Sequence, residues 1–270
     1  SQDLFLNTLL GYLKHPTVGA ALLLEHGCDK IHNGVVCSQL RKTGIDPAKF
    51  GTASIQLDGG LENVSKKVIN WFESKQKAMP SIKQQKVGIG HLSIGMLSQP
   101  PIKKTAAIAL KRLVSRLLGN DTTLIVPEND RLLDLLSTFK IFQEDPKPTI
   151  AYGQSTHKNG FHIMANPGHH WTEALTGLAA CGTSLILSYH GSRPLAGHPL
   201  VPILRVSAES NVCSDFDTDL DLVLAGDPLD WPKHIASLVI KAASQQYRVR
   251  ALQLGHTDIQ FTRGLLGFST

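Results

Sequence analysis

Four histidines crowd three short stretches: Asn166-Pro167-Gly168-His169-His170, Ser188-Tyr189-His190-Gly191-Ser192-Arg193 and Gly197-His198-Pro199. Imidazoles exchange protons or bind metals near neutral pH, and a guanidinium such as that of Arg193 can grip a carboxylate through two parallel hydrogen bonds. Together they suit acid–base chemistry on a small carboxylate, with His170 and His190 as proton-transfer groups and Ser192 and Arg193 as substrate contacts. Any one of these histidines, taken alone, reads as a structural or merely exposed residue. Their recurrence at successive strand ends carries the functional reading.

Other constellations speak for less. Gly88-Ile89-Gly90 resembles the start of a dinucleotide loop, but Ser93 stands where the third glycine belongs and no acid follows at a suitable distance. No phosphate-binding lysine loop, H-E-x-x-H or G-x-S-x-G is present. Asp215, Asp217, Asp219 and Asp221 alternate with other residues, and an extended segment would set all four carboxylates on one side. That arrangement reads as a solvated polar face or as a site for a hard metal. A helix-type calcium loop is excluded, because Leu220 occupies the required glycine position.

Catalytic loops need a rigid frame, and the hydrophobic pattern supplies one. Strand-like runs at Val18–Leu24, Ser54–Leu57, Val87–Ile89, Thr123–Val126, Phe161–Met164, Ser184–Ser188, Ile203–Val206 and Leu222–Leu224 alternate with helical periodicities at Leu61–Lys75, Lys103–Leu118, Asp130–Phe139, Thr172–Cys181 and Pro232–Ser244. Strands interleaved with helices predict an α/β fold, a Rossmann-like, mostly parallel sheet with helices on both faces. Ligands of such sheets sit at the carboxyl ends of the strands. We expect one domain over residues 1–270, with Glu144-Asp145-Pro146-Lys147-Pro148 as an internal linker candidate.

Composition narrows the class. Apolar residues make up 42% of the chain, enough for a substantial core, and aromatics only 6%, which argues against stacking platforms for single-stranded nucleic acid. The net charge of +5 tolerates an acidic partner. Yet its densest basic group, Lys103, Lys104, Lys111, Arg112 and Arg116, falls at helical spacing and reads as a solvated helix face or, alternatively, an anion patch. Cys28, Cys37, Cys181 and Cys213 show no close pairing, so reduced thiols and a cytoplasmic setting are expected. No apolar run approaches the ~18 residues of a membrane span. Ser1 in first position points to a processed or excised chain.

Several blocks in order resemble the altronate/galactarate dehydratase family, which also includes the large subunit of sulfolactate sulfo-lyase. They are Gly160-Phe161-His162-Ile163-Met164-Ala165-Asn166-Pro167-Gly168, Thr176-Gly177-Leu178-Ala179-Ala180-Cys181-Gly182 and Pro199-Leu200-Val201-Pro202-Ile203. His15-Pro16-Thr17-Val18-Gly19, Gly27-Cys28-Asp29-Lys30, Ile55-Gln56 to Gly59-Gly60, Asp219-Leu220-Asp221 and Phe261-Thr262-Arg263 agree in the same sequence. The resemblance implies the C-terminal catalytic core of a larger enzyme, a Rossmann-like fold and iron-dependent dehydration of hexarates or hexonates. It also implies a contact between Arg193 and a substrate carboxylate, and a metal-ligand role for Cys28.

The departures concern the metal. His91 stands at the position of the family's Cys-Gly-Gly-Ser-Asp cysteine, His198 replaces a cysteine before the Pro-Val-Pro block, and His170 replaces an acid. Either Cys28, His91 and His198 form a nitrogen-rich site for a borderline divalent metal, or the site has decayed. The two functional expectations are a metal-dependent lyase acting on a sugar acid or related hydroxy-carboxylate, and a non-catalytic relative that binds a small carboxylate or acts as a scaffold subunit. The expected partner is a small carboxylate. A homo-oligomer, or association with the family's upstream segment, is the expected assembly.

Overall fold

The computed structural model describes residues 2–78, 85–138, 147–156 and 158–262. Residues 144–146 of the linker candidate, Phe139 at the end of one expected helix, and Arg263 of the last family block lie outside them. The chain, expected as one domain, divides into two compact units, a smaller one over residues 16–86 and a larger one over residues 3–15 and 87–270.

Helix α1 (Gln2–Leu13) opens the chain, and its residues from Asp3 on belong to the larger unit. The smaller unit runs β1 (Leu22–Glu25), α2 (Asn33–Lys42), β2 (Gly51–Ser54) and α3 (Leu61–Ala78), with β1 and β2 paired in parallel. The sequence reading placed β2 at Ser54–Leu57. The chain there is already turning, because the Asp58 carboxylate takes the Ser54 N–H and Asp58 N–H returns to the Ser54 carbonyl. In α3 only Val64 is buried, while Ile69 and Phe72 of the apolar stripe are exposed.

In the larger unit the order is β3 (Ser93–Gln99), α4 (Lys104–Leu118), β4 (Thr123–Pro127), α5 (Arg131–Thr138), β5 (Gly160–Met164), α6 (Trp171–Ala180) and β6 (Leu185–His190). Then follow β7 (Ile203–Ser207), α7 (Ser210–Asp215), β8 (Leu222–Val223), α8 (Trp231–Ala243) and α9 (Arg250–Gln253). Six strands pair in parallel in the order β5-β4-β3-β6-β7-β8. The chain winds outward from β3 through β4 and β5, then returns to the other side of β3 and continues through β6 to β8. This is a doubly wound sheet whose direction reverses between β3 and β6.

Two corrections to the sequence reading bear on the site. The strand expected at Val87–Ile89 is instead Ser93–Gln99, and Ile89–His91 form a short 3-10 turn before it. The Asp215–Asp221 segment is not extended: α7 ends at Asp215 and Asp217–Asp219 form another 3-10 turn, so the four carboxylates do not share a side. Asp221 is committed to structure, accepting the main-chain N–H of Arg205 and Arg250 and the hydroxyl of Tyr247.

Side-chain alternation divides the core between the two faces of the sheet. One face sets Ile94, Met96, Leu124, Leu187 and Leu204 against the apolar sides of α4 and α8. The other sets Leu97, Ile125, Ile186 and Ile203 against Leu175 and Leu178 of α6, with Tyr12 of α1 packed alongside. The buried stripe of α4 (Ala106, Leu110, Leu113, Leu117) leaves Lys104, Arg112 and Arg116 exposed, the solvated basic face expected of an amphipathic helix. Among the described residues no helix is long and apolar enough to cross a membrane.

Candidate functional site

The carboxyl ends of β3, β4 and β5 open on a crevice of about 300 Å³ that reaches Leu195 in the loop after β6. Ser98, Asp130, Asn166, His169, His170 and Trp171 line it. This is the rim at which a doubly wound sheet binds ligands, because loops diverge where the winding reverses.

Local sequence explains how each wall is held. Asp130 follows β4 by three residues and precedes α5, where a carboxylate caps the helix: its Oδ1 accepts Leu132 N–H at 2.8 Å. The main-chain N–H of Ser98 donates to Asp130 Oδ2 at 2.7 Å, and the Ser98 hydroxyl donates to Oδ1. Burial outweighs these donors and pushes the Asp130 carboxyl up to about 6. Asn166 is buried beside it and donates through Nδ2 to Asn129 Oδ1 at 2.7 Å, while its own Oδ1 meets no donor. An unsatisfied buried acceptor on a crevice wall calls for a hydroxyl or N–H from a ligand or water.

Gly191 brings the other side of the switch point close. A Cβ at this residue would collide with the Pro100–Pro101 main chain, so only glycine lets the loop after β6 pass there. Immediately beyond it the N–H groups of Ser192 and Arg193 both donate to Gln99 Oε1 at 3.2 Å. Gln99 itself lines the crevice.

The residues singled out from sequence are thus distributed unequally. His170 is exposed at the N-cap of α6 and lines the crevice; Ser192 and Arg193 are exposed on the loop tied to Gln99. His190 is not in a loop but ends β6, fully buried, with Nε2 2.9 Å from Ser188 Oγ and its ring 5.2 Å from that of Trp171. Burial, reinforced by the Arg205 charge, pushes His190 down to about 3. An imidazole so held is neutral near pH 7.

His198 is also buried. Its Nδ1 accepts the N–H groups of Leu200 and Val201, and Nε2 is 2.9 Å from the Tyr12 hydroxyl, which donates to the Thr176 carbonyl. Both ring nitrogens are therefore occupied, and burial pushes His198 down to about 4. His91 lies in the 3-10 turn before β3, at the amino rim of the sheet, and lines a separate cavity of about 590 Å³ with Gly88, Asn120 and Thr123. Cys28 belongs to the smaller unit, exposed, with Sγ 3.3 Å from His26 Nδ1. Within the larger unit His91 and His198 do not share a site, and among the described residues no group of three His, Cys, Asp or Glu side chains could hold an ion.

The sequence reading missed Ser98, Gln99, Asp130 and Asn166 as site residues. Two signals were present: Asn166 opens one of the histidine stretches, though it was given no role, and the acid three residues past a strand-ending proline reads first as a helix cap.

His190 also predicts a pH response. Its folded-state value lies below the ordinary 6.5, so the unfolded chain takes up a proton first, and stability falls as pH drops from about 6.5 toward 3. We expect His190→Gln to flatten this acid limb, read from urea midpoints at pH 7, 5.5 and 4. Parallel profiles for the two proteins would refute the buried neutral imidazole.

Residues 138–265, which contain β5, the α6 N-terminus, β6 and β7, match the family model described as D-galactarate/altronate dehydratase, C-terminal. No curated protein matches the chain. The crevice loops after β5 and β6 lie within the matched span, whereas Ser98 and Asp130 precede it. Over this C-terminal region the chain is similar to the D-galactarate/altronate dehydratase family.

Proposed function

We propose that the crevice binds a sugar acid or related hydroxy-carboxylate and that the protein is a lyase that removes water from it. The observation that carries this reading is Asp130, a buried carboxyl poised near 6 against a hydroxyl on the wall of the switch-point crevice. Dehydration requires a base to take the proton from the carbon beside the carboxylate, and an acid to protonate the hydroxyl that leaves as water. Ionised Asp130 is the proton acceptor, and Ser98 Oγ, hydrogen-bonded to it, is the atom placed to relay the proton. His170 stands exposed at the mouth as the donor to the departing hydroxyl. Asn166 Oδ1 accepts a substrate hydroxyl, and Ser192 and Arg193 meet the carboxylate at the rim.

A divalent metal, iron by the family resemblance, would polarise that carboxylate. The residues expected to hold it do not form a site among the described residues, so no step is routed through it. A cytoplasmic setting follows from the same reading.

The non-catalytic reading, a carboxylate binder, shares the crevice and is favoured by the separation of His91 and His198 within the larger unit. One experiment separates the two. The full-length protein, reduced and anaerobic, is assayed for metal content and incubated with hexarates and hexonates, and products are weighed by mass spectrometry. Loss of one water per substrate molecule is the expected result. Thermal stabilisation without turnover would leave only the binder, and neither response would remove both.

A further inference from the structure

Arg205 is the middle residue of β7, opposite Ser188 of β6, and no part of it is exposed. Alternation places it with Ser207 on the sheet face that also carries Ser188 and His190. A guanidinium stays charged even in the interior. Nη2 donates to the His256 carbonyl at 3.1 Å and lies 3.3 Å from His256 Nδ1, but Nε and Nη1 have no acceptor. None of the ion pairs among the described residues includes Arg205. Asp221 and then Asp219 draw on it through space, but neither bonds to the guanidinium, and the Asp221 oxygens accept the main-chain N–H of Arg205 and Arg250 and the Tyr247 hydroxyl.

The neighbouring imidazole has the opposite want. Ser188 Oγ donates its single proton to the Leu204 carbonyl at 3.1 Å, so it must accept from His190 Nε2–H. His190 Nδ1 makes no hydrogen bond of ordinary geometry, and of the main chain around it only Arg193 bears on the ring, leaving its lone pair open to a better-placed donor. Two buried donors on a cation and one buried acceptor thus stand in one cluster. Buried donors left unmade on a charged group are costly. An oxygen ligand would answer them, and a carboxylate would add to the charge compensation that Asp221 and Asp219 begin.

We propose that Arg205 and His190 form a buried seat for the carboxylate end of a hydroxy-carboxylate, the anion answering Nε and Nη1 and the adjacent hydroxyl donating to His190 Nδ1. Trp171 connects this seat with the crevice, since its ring packs on His190 and also lines the crevice wall. The inference takes its ligand class from the proposed function, but it replaces the exposed Arg193 with Arg205 as the principal carboxylate contact.

Glycolate is the smallest probe that carries both groups, and formate carries the anion alone. Titration of the full chain, followed by Trp fluorescence and thermal shift, should show saturable glycolate binding with formate at least tenfold weaker. Arg205→Met, which keeps the bulk and removes the charge, should weaken glycolate at least 100-fold while melting no lower than the ligand-free parent. His190→Phe should remove the preference for glycolate over formate. An undiminished glycolate response in Arg205→Met overturns the inference, as does a melting temperature for that variant well below the ligand-free parent. If Arg205→Met also turns over hexarates normally while Asp130→Asn does not, the inference falls and the crevice reading stands. If Arg205→Met loses glycolate binding and no hexarate is turned over by the parent, the seat stands and the lyase reading falls.

Discussion

Asp130→Asn is expected to lower dehydratase turnover by roughly 10²–10⁴-fold, the usual contribution of one positioned acid–base group. The amide retains an oxygen for Leu132 N–H and the Ser98 hydroxyl, but presents its NH2 to the Ser98 N–H, two donors facing each other. That mismatch costs about 1–3 kcal/mol, so activity must be compared at a temperature where both proteins are folded. The pH profile distinguishes chemistry from stability. If Asp130 accepts the proton, parent turnover rises as the group ionises near pH 6, and the residual activity of the variant lacks this step.

Stability moves the other way. Because the folded-state value of Asp130 is raised from 3.8 to about 6, the neutral carboxyl is the favoured form in the fold. Its contribution is complete below pH 4 and is lost as pH rises through 6, on the order of 3 kcal/mol for a shift of this size. Denaturant midpoints of the parent should show that loss, and Asp130→Asn should not. A variant with parental turnover and a parental profile would confine Asp130 to capping α5.

The second large effect is expected at Gly191. A methyl group there meets main-chain atoms of Pro100 and Pro101, not a side chain that could swing aside. Gly191→Ala should therefore destabilise the larger unit by about 3 kcal/mol, the upper part of the range for overpacking. The loop after β6 would have to withdraw from β3, breaking the paired hydrogen bonds from Ser192 and Arg193 to Gln99 Oε1. Melting temperature and amide exchange at Ser192 and Arg193 would reveal both consequences. A variant with unchanged stability and unchanged protection would show that this close approach is not required. Gly60, with open space around its Cβ position, is a matched control for steric effects in the other unit, although its positive φ will add some strain.

Much of the frame was legible in the residues themselves. The periodicities of α4, α6 and α8 and the apolar runs of β4, β5, β6 and β7 report local burial, and their alternation requires parallel crossovers. That predicted a mostly parallel α/β sheet with polar loops at its carboxyl rim, and His170, Ser192 and Arg193 do lie in the segments that follow its strands. β3 escaped because Gly95 interrupts its short apolar run and serines bound it, yet it is the strand at which the winding reverses. Its glycine belongs to tertiary packing, since a Cβ there would press on Ile186 and Leu178.

What the sequence could not carry is environment. Histidine at 190 and histidine at 170 look alike in a string, but one ends a central strand beneath Trp171 and the other stands exposed just before the first turn of α6. Burial alone separates an imidazole held neutral in the interior from one open to solvent. The same holds for Asp130 and Arg205, whose neighbours arrive from strands more than a dozen residues away. Desolvation and the supply of hydrogen-bond partners depend on those distant neighbours, so composition and spacing determined the scaffold, and only the folded chain decided which of its polar groups could act.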